Sequence, residues 1–224
     1  MRRATLAEVY PLSMGRRTAD IDCWGRLLMN AGPDGTGART VIEVGAHPRI
    51  SRGLLTAGLW DVESPWACID IDPDMCATCT DEHADAVHGD ALDPATWTVA
   101  RRAVGGLADV VRIPFSTLCL FEHEQQHALL REAAQHVARG GLLAAEVFVP
   151  EPWTWDQPRR RSTSGCASPT GGDDWVRVDD YQIDWSTQTT RVRRQFGPAG
   201  QPRELEIEEV VHWRRSLGEV LEVA

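Results

Sequence analysis

Four short apolar runs of this chain end in residues able to bind or react. Val41-Ile42-Glu43-Val44 closes on Gly45, and Trp66-Ala67-Cys68-Ile69 closes on Asp70. Ala86-Val87 leads into His88-Gly89-Asp90, and Asp109-Val110-Val111 leads into Arg112-Ile113-Pro114-Phe115. Runs of this length ending at turn formers suit buried parallel strands. In an open parallel sheet, ligands bind beyond the carboxyl ends of the strands, where the strand order reverses. A carboxylate after the second strand can accept both hydroxyls of a ribose. Asp70 lies 27 residues beyond Glu43, near the separation of about 20 expected in a dinucleotide fold. An acid after the third strand, here Asp90, can take an adenine amino group.

Two other groupings invite a metal. His123-Glu124-Gln125-Gln126-His127 matches H-E-x-x-H, two imidazoles one helical turn apart with a glutamate as base. Taken alone it would be a zinc hydrolase, but Leu130 and Ala133 stand where the metzincin spacing wants a glycine and a third histidine. Cys76-Ala77-Thr78-Cys79 has His83 and His88 nearby, yet C-x-x-C sites usually need a longer span before the second ligand pair. Neither is read as a metal site. For proton transfer the chain offers His123, His127, Glu146, Tyr181 and His212, among which the sequence does not choose; His123, His127 and Tyr181 are carried forward as catalytic candidates.

The elements that would hold these groups alternate. Helical patterns fill the first forty residues, broken at Pro11 and stopped at Gly32-Pro33-Asp34-Gly35. A helix is expected over 50–58. Another opens at Asp72-Pro73, an N-cap followed by proline at the first helical position. Apolar spacing predicts a helix over 125–138, ended by Gly140-Gly141, and a fifth strand over 142–148. Strands alternating with helices predict a doubly wound, mostly parallel α/β sheet of the Rossmann-like kind. After Pro150 the texture changes. Residues 151–174 read as a long loop, in which Arg159-Arg160-Arg161 is a solvated run. Alternation over 175–185, 189–196 and 205–213 predicts three antiparallel strands, with turns at Ser186-Thr187 and Gly197-Pro198-Ala199-Gly200. An amphipathic helix is expected over 217–223. The chain is thus divided at 150, with 1–150 as helices and parallel core and 151–224 as loop, antiparallel lid and last helix of the same domain.

Composition excludes several classes. A net charge of −10 in 224 residues argues against a nucleic-acid substrate, because phosphate binding needs a basic face. The sequence contains no lysine, which removes a Schiff-base lysine and a P-loop. Arginine in its place, with abundant alanine, suggests a GC-rich bacterial genome. No apolar run approaches a membrane span. The basic start is followed by Glu8 and no apolar core of a signal peptide. Six cysteines are sparse for a disulfide framework, so a reducing, cytoplasmic setting is expected.

Taken in order, Glu43-Val44-Gly45, Cys68-Ile69-Asp70, Val87-His88-Gly89-Asp90-Ala91, Pro114-Phe115-Ser116-Thr117 and Arg139-Gly140-Gly141-Leu142-Leu143 resemble the motifs of class I S-adenosylmethionine-dependent methyltransferases. The segment from Pro114 to Pro150 also resembles small-molecule members of bacterial secondary metabolism, including amino-sugar N-methyltransferases, whose antiparallel excursion after the fifth strand covers the active site. The resemblance implies methyl transfer from S-adenosylmethionine to N or O of a small molecule. It places Gly45 and Ala46 beside the methionine part, with Glu43 supporting the loop and approaching the amino group. Asp70 and Ile71 would hold the ribose, and Asp90 with Ala91 the adenine. Arg112, Pro114 and Phe115 would face the transferred methyl, and Tyr10 would close over the pocket. Phe115, Tyr181 and Trp185 would line the substrate. Homodimers are common among the resembling enzymes. Two departures stand out. The family's E/D-x-G-x-G-x-G loop is here Gly45-Ala46-His47-Pro48-Arg49, so His47 and Arg49 replace its second and third glycines. A GAxPG version, found in RNA ribose methyltransferases, accommodates Ala46 and Pro48 but leaves Arg49 unexplained. The family also usually continues past its last helix into further strands, where this chain ends at Ala224. Both departures motivate an alternative, a methyltransferase-fold protein that is a partner subunit or a non-methylating enzyme such as a cyclase.

Overall fold

The computed structural model describes residues 5–13, 19–32, 35, 37–61, 63–80, 84–149, 157–169, 174–201 and 204–213. Within them the chain forms two compact units. One comprises residues 17–118 and 124–146, the other residues 1–16, 119–123 and 147–224.

The first unit is built on five parallel strands. These are β1 (Val41–Val44), β2 (Trp66–Asp70), β3 (Asp85–His88), β4 (Ala108–Ile113) and β5 (Val137–Ala145), in the order β3-β2-β1-β4-β5. All four residues of β1 are buried, as expected of a central strand covered on both faces. Its register sets Val41 beside Trp66 on one side and Val110 on the other. Strand order reverses between β1 and β4, which makes that pair the switch point.

The connecting helices follow local signals. They are α2 (Ala19–Asn30), α3 (Pro48–Thr56), α4 (Pro73–Thr80), α5 (Pro94–Ala103) and α6 (His123–Ala134), the last of which begins in the other unit. Asp72 caps α4 by accepting the Asp74 N–H at 2.8 Å, and Asp93 caps α5 through the Ala95 N–H at 2.9 Å. Each is followed by proline at the first helical position.

The second unit is a four-stranded antiparallel sheet with α1 (Leu6–Ser13). Its strands are β6 (Arg159–Cys166), β7 (Trp175–Asp184), β8 (Thr189–Pro198) and β9 (Leu205–His212), paired in sequence order. Val9 of α1 packs with Trp175 and Phe196, flanked by Cys166, Leu205 and Ile207.

Several expectations are corrected. Helix α1 runs through Pro11, because a proline so near the carboxyl end forfeits a single backbone hydrogen bond. Helix α6 stops at Ala134. Val137 and Ala138 belong to β5, where Val137 pairs with Ala108. Gly140-Gly141 therefore lies inside a strand. Gly140 takes φ +80, and a Cβ on Gly141 would sit 2.5 Å from the Asp109 carbonyl. The antiparallel sheet has four strands, not three. Arg159-Arg160-Arg161 opens β6, an edge strand so exposed that its polar run shows no alternation. Gly197 and Pro198 end β8, leaving Ala199-Gly200 as the turn. Pro150, the expected helix over 217–223, and parts of the 32–35 stop and the 151–174 loop lie outside the described residues.

Candidate functional site

At the end of β1, Glu43 is fully buried. It accepts the His47 N–H at 3.0 Å on one oxygen and the Arg112 Nε–H at 2.6 Å on the other, with Arg112 Nη2 on the same oxygen. The Arg112 guanidinium lies 4.1 Å from the Trp66 ring and 5.5 Å from that of Trp24. Burial pushes the Glu43 carboxyl up, against the pull of Arg112 and the His47 amide. A carboxylate buried this deeply needs a cation on it. Glu43 braces the loop through the His47 amide, and Arg112 is its buried partner.

Above them the loop turns at Gly45. Its φ of +84 suits glycine, and a Cβ there would meet Thr117 Oγ1 at 2.5 Å. The Ala46 N–H donates to Asp70 at 2.8 Å, and the Asp72 N–H donates to its other oxygen at 2.8 Å. Desolvation raises the Asp70 pKa against these amides. Each carboxylate oxygen keeps a lone pair for a further donor. Ile71, next in chain, is 70% exposed, and its carbonyl lies 3.1 Å from His88 Nε2 at the end of β3. Asp90 is exposed and holds the Leu92 N–H at 2.8 Å, while the carbonyl of buried Ala91 takes the Trp97 indole N–H at 2.8 Å. Asp70, Ile71, Asp90 and Ala91 thus line adjacent strand ends.

Beyond β4, Pro114 is buried, and Phe115 and Ser116 take φ of 54° and 59°. Left-handed conformations in two successive non-glycine residues store strain, which tends to gather at functional sites. The Phe115 N–H is held by Glu146 at 3.1 Å. Its ring stacks on His47 at 3.8 Å with planes 16° apart, and the Arg49 guanidinium stands 4.9 Å from its centroid. Arg49 is ion-paired with Asp20 of α2. Desolvation and the Arg49 charge lower the His47 pKa to about 3, so the ring is neutral. His47 follows β1 and Phe115 follows β4, so their stack bridges the switch point.

In the antiparallel unit, Asp179 is fully buried. It pairs with Arg177 at 2.9 Å, lies 3.8 Å from Arg194 Nε and accepts the Tyr181 hydroxyl at 3.0 Å. Arg194 also pairs with Glu209. Burial, then Asp179, pushes the Tyr181 phenol up, which keeps it protonated. Trp185 meets Trp213 edge-on at 4.9 Å, and His123 meets His212 at 5.9 Å. His127 sits one turn along α6, half-buried. No group of three metal-ligating side chains occurs among the described residues. The side chain of Tyr10 and the whole of His83 lie outside them.

Sequence reasoning missed the Arg112 partnership with Trp24 and Trp66, the Arg49–Asp20 pair and the Asp179 network. Only the last left a signal, an acid and two arginines at alternate positions of facing strands. A groove of about 920 Å³ lined by Leu28, Leu55, Trp60, Asp61 and Ser64 lies at the amino ends of β1 and β2.

No family model matches the sequence, and no curated protein does. Solved structures share the fold. DesVI of Streptomyces venezuelae is similar at a TM-score of 0.70 and 17% identity, over 99% of this chain and 89% of that one. CalS10, an amino pentose methyltransferase from Micromonospora echinaspora solved with S-adenosylmethionine, gives 0.69 at 17% identity, over 100% and 88%. KedS8, a sugar N-methyltransferase from Streptoalloteichus, gives 0.69 at 16% identity, over 100% and 85%. The fold is that of class I S-adenosylmethionine-dependent methyltransferases.

Proposed function

We propose that this protein transfers a methyl group from S-adenosylmethionine to a nitrogen or oxygen of a small molecule, with an amino sugar the favoured acceptor class. The observation that carries this is Asp70. It is a half-buried carboxylate at the end of β2, aimed by two backbone amides, beside exposed Ile71 and one strand from Asp90. Those hydrogen-bond acceptors fit the hydroxyls of a ribose and the amino group of an adenine. Gly45 and Ala46 form the adjoining loop.

When bound, the cofactor supplies an activated methyl whose transfer leaves a neutral thioether. The protein's share is position and proton handling. Phe115, at the end of β4, is the residue proposed to meet the acceptor in the parallel unit; Tyr181 and Trp185 are the candidates of the antiparallel one. Tyr181 spends its proton on Asp179, so it serves as a neutral hydrogen-bonding group rather than a base. That leaves His123 and His127 for the proton, with His212 against the His123 ring. Fold relatives named for sugar substrates support the acceptor class and a setting in bacterial secondary metabolism. Free thiols support a cytoplasmic protein, and a homodimer is the assembly common among the enzymes it resembles.

Calorimetric titration of S-adenosylmethionine and S-adenosylhomocysteine tests the reading. Binding near micromolar, about −8 kcal/mol, lost in Asp70→Ala, is expected; methyl incorporation into a panel of amino sugars follows. One observation favours the alternative. The His47–Phe115 stack spans the crevice where a ligand would enter. Well-folded protein that binds neither compound would establish that reading, a partner subunit or non-methylating enzyme.

A further inference from the structure

Arg49 is placed against local preference. It lies in the first turn of α3, where the helix dipole disfavours a cation, and His47 at the N-cap gives the helix no side-chain cap. Its guanidinium stands over Phe115 and is tied to Asp20 of a different helix. An aromatic face that holds a guanidinium is a face that recognises cations. It lies at the end of β4, beside the β1/β4 switch point where a ligand must come. On the methyl-transfer reading, the donor carries a positive sulfonium and the product a neutral thioether of nearly the same shape. A cation fixed beside the crevice distinguishes the two by charge alone.

We infer that Arg49, balanced by Asp20, is a specificity-determining residue that sets the relative affinity for charged donor and neutral product. This rests on the methyl-transfer reading but goes beyond it. Removing the guanidinium frees the face of Phe115 for a ligand cation and leaves the Asp20 carboxylate to attract it. Removing the Asp20 charge leaves Arg49 unbalanced and repels it. The two variants must therefore act in opposite directions, although both break the same ion pair.

The test is calorimetric titration of S-adenosylmethionine and S-adenosylhomocysteine into wild type, Arg49→Gln and Asp20→Asn, with melting temperatures recorded. Arg49→Gln is expected to shift the affinity ratio toward the sulfonium by about threefold or more, and Asp20→Asn to shift it by a similar factor the other way. A merely structural contact would weaken both ligands alike in both variants, which overturns the inference and leaves methyl transfer standing. Should Arg49→Gln fail to fold, the direction of the Asp20→Asn shift decides. Binding of neither ligand by wild type or either folded variant overturns the inference together with the functional reading. Binding that appears only in Arg49→Gln overturns it as well, since wild type then holds no donor and product for Arg49 to discriminate.

Discussion

His47 illustrates how one side chain can carry both the architecture and the chemistry of a loop. Its amide holds Glu43, its ring stacks on Phe115, and burial lowers its pKa to about 3 against 6.5 when free. The sign of the resulting pH dependence is fixed. Below 6.5 the unfolded chain takes up a proton that the folded chain refuses, so stability falls as pH drops toward 3. Asp70 and Glu43, whose folded values are raised, act in the opposite sense, so His47 is isolated only by comparison with a variant. Between pH 7 and pH 5, wild type is expected to lose about 2 kcal/mol of unfolding free energy relative to His47→Gln. Urea titrations at the two pH values measure this; equal losses would mean that the ring is protonated inside the fold.

Among the elements, the antiparallel sheet depends on a polar centre as much as on its apolar contacts. Strand β7 sets Asp179 opposite Arg194 on β8, and alternation brings Arg177 and Tyr181 to the same face. Asp179→Ala removes the carboxylate and leaves two largely buried arginines to find other partners, at a cost of about 3 kcal/mol. The same change should lower the Tyr181 pKa, because Asp179 both repels the phenolate and holds the phenol proton. The chain has two tyrosines, so an ultraviolet alkaline titration with Tyr181→Phe as reference resolves the shift. An unmoved Tyr181 would show that burial alone sets its pKa.

Across the molecule, the thiols report which parts are sealed. Cys68, Cys76, Cys79 and Cys119 are buried, Cys166 is half-buried and Cys23 is exposed. The Cys68 thiol is raised by hydrogen bonding with Cys79 and by burial; desolvation lifts Cys76 to about 11 and raises Cys166. The thiolate is the reactive form. A native titration with a disulfide reagent should therefore show Cys23 reacting fast and Cys166 slowly, with all six available in denaturant. A second fast thiol would mean that one of the buried four opens in the native state.

The sequence by itself determined what repeats locally. Strand ends at Gly45, Asp70, Asp90 and Pro114, proline-led helices with aspartate caps, and alternation over β7 to β9 all follow from neighbours a few residues apart. The carboxylate that closes β2 at Asp70 was legible in the same way, from the apolar run that precedes it. Tertiary structure decided the rest, because the deciding partner is remote in sequence. Val137 and Gly140 join β5 only because Ala108 and Asp109 lie alongside. Arg159 to Arg161 form a strand only because β7 supplies hydrogen bonds that their side chains do not advertise. Glu43 is buried only because Arg112, 69 residues on, is buried against it. His47 and Arg49 read as two missing glycines until folding brings Phe115 and Asp20 to them, and burial then fixes where each charge can go.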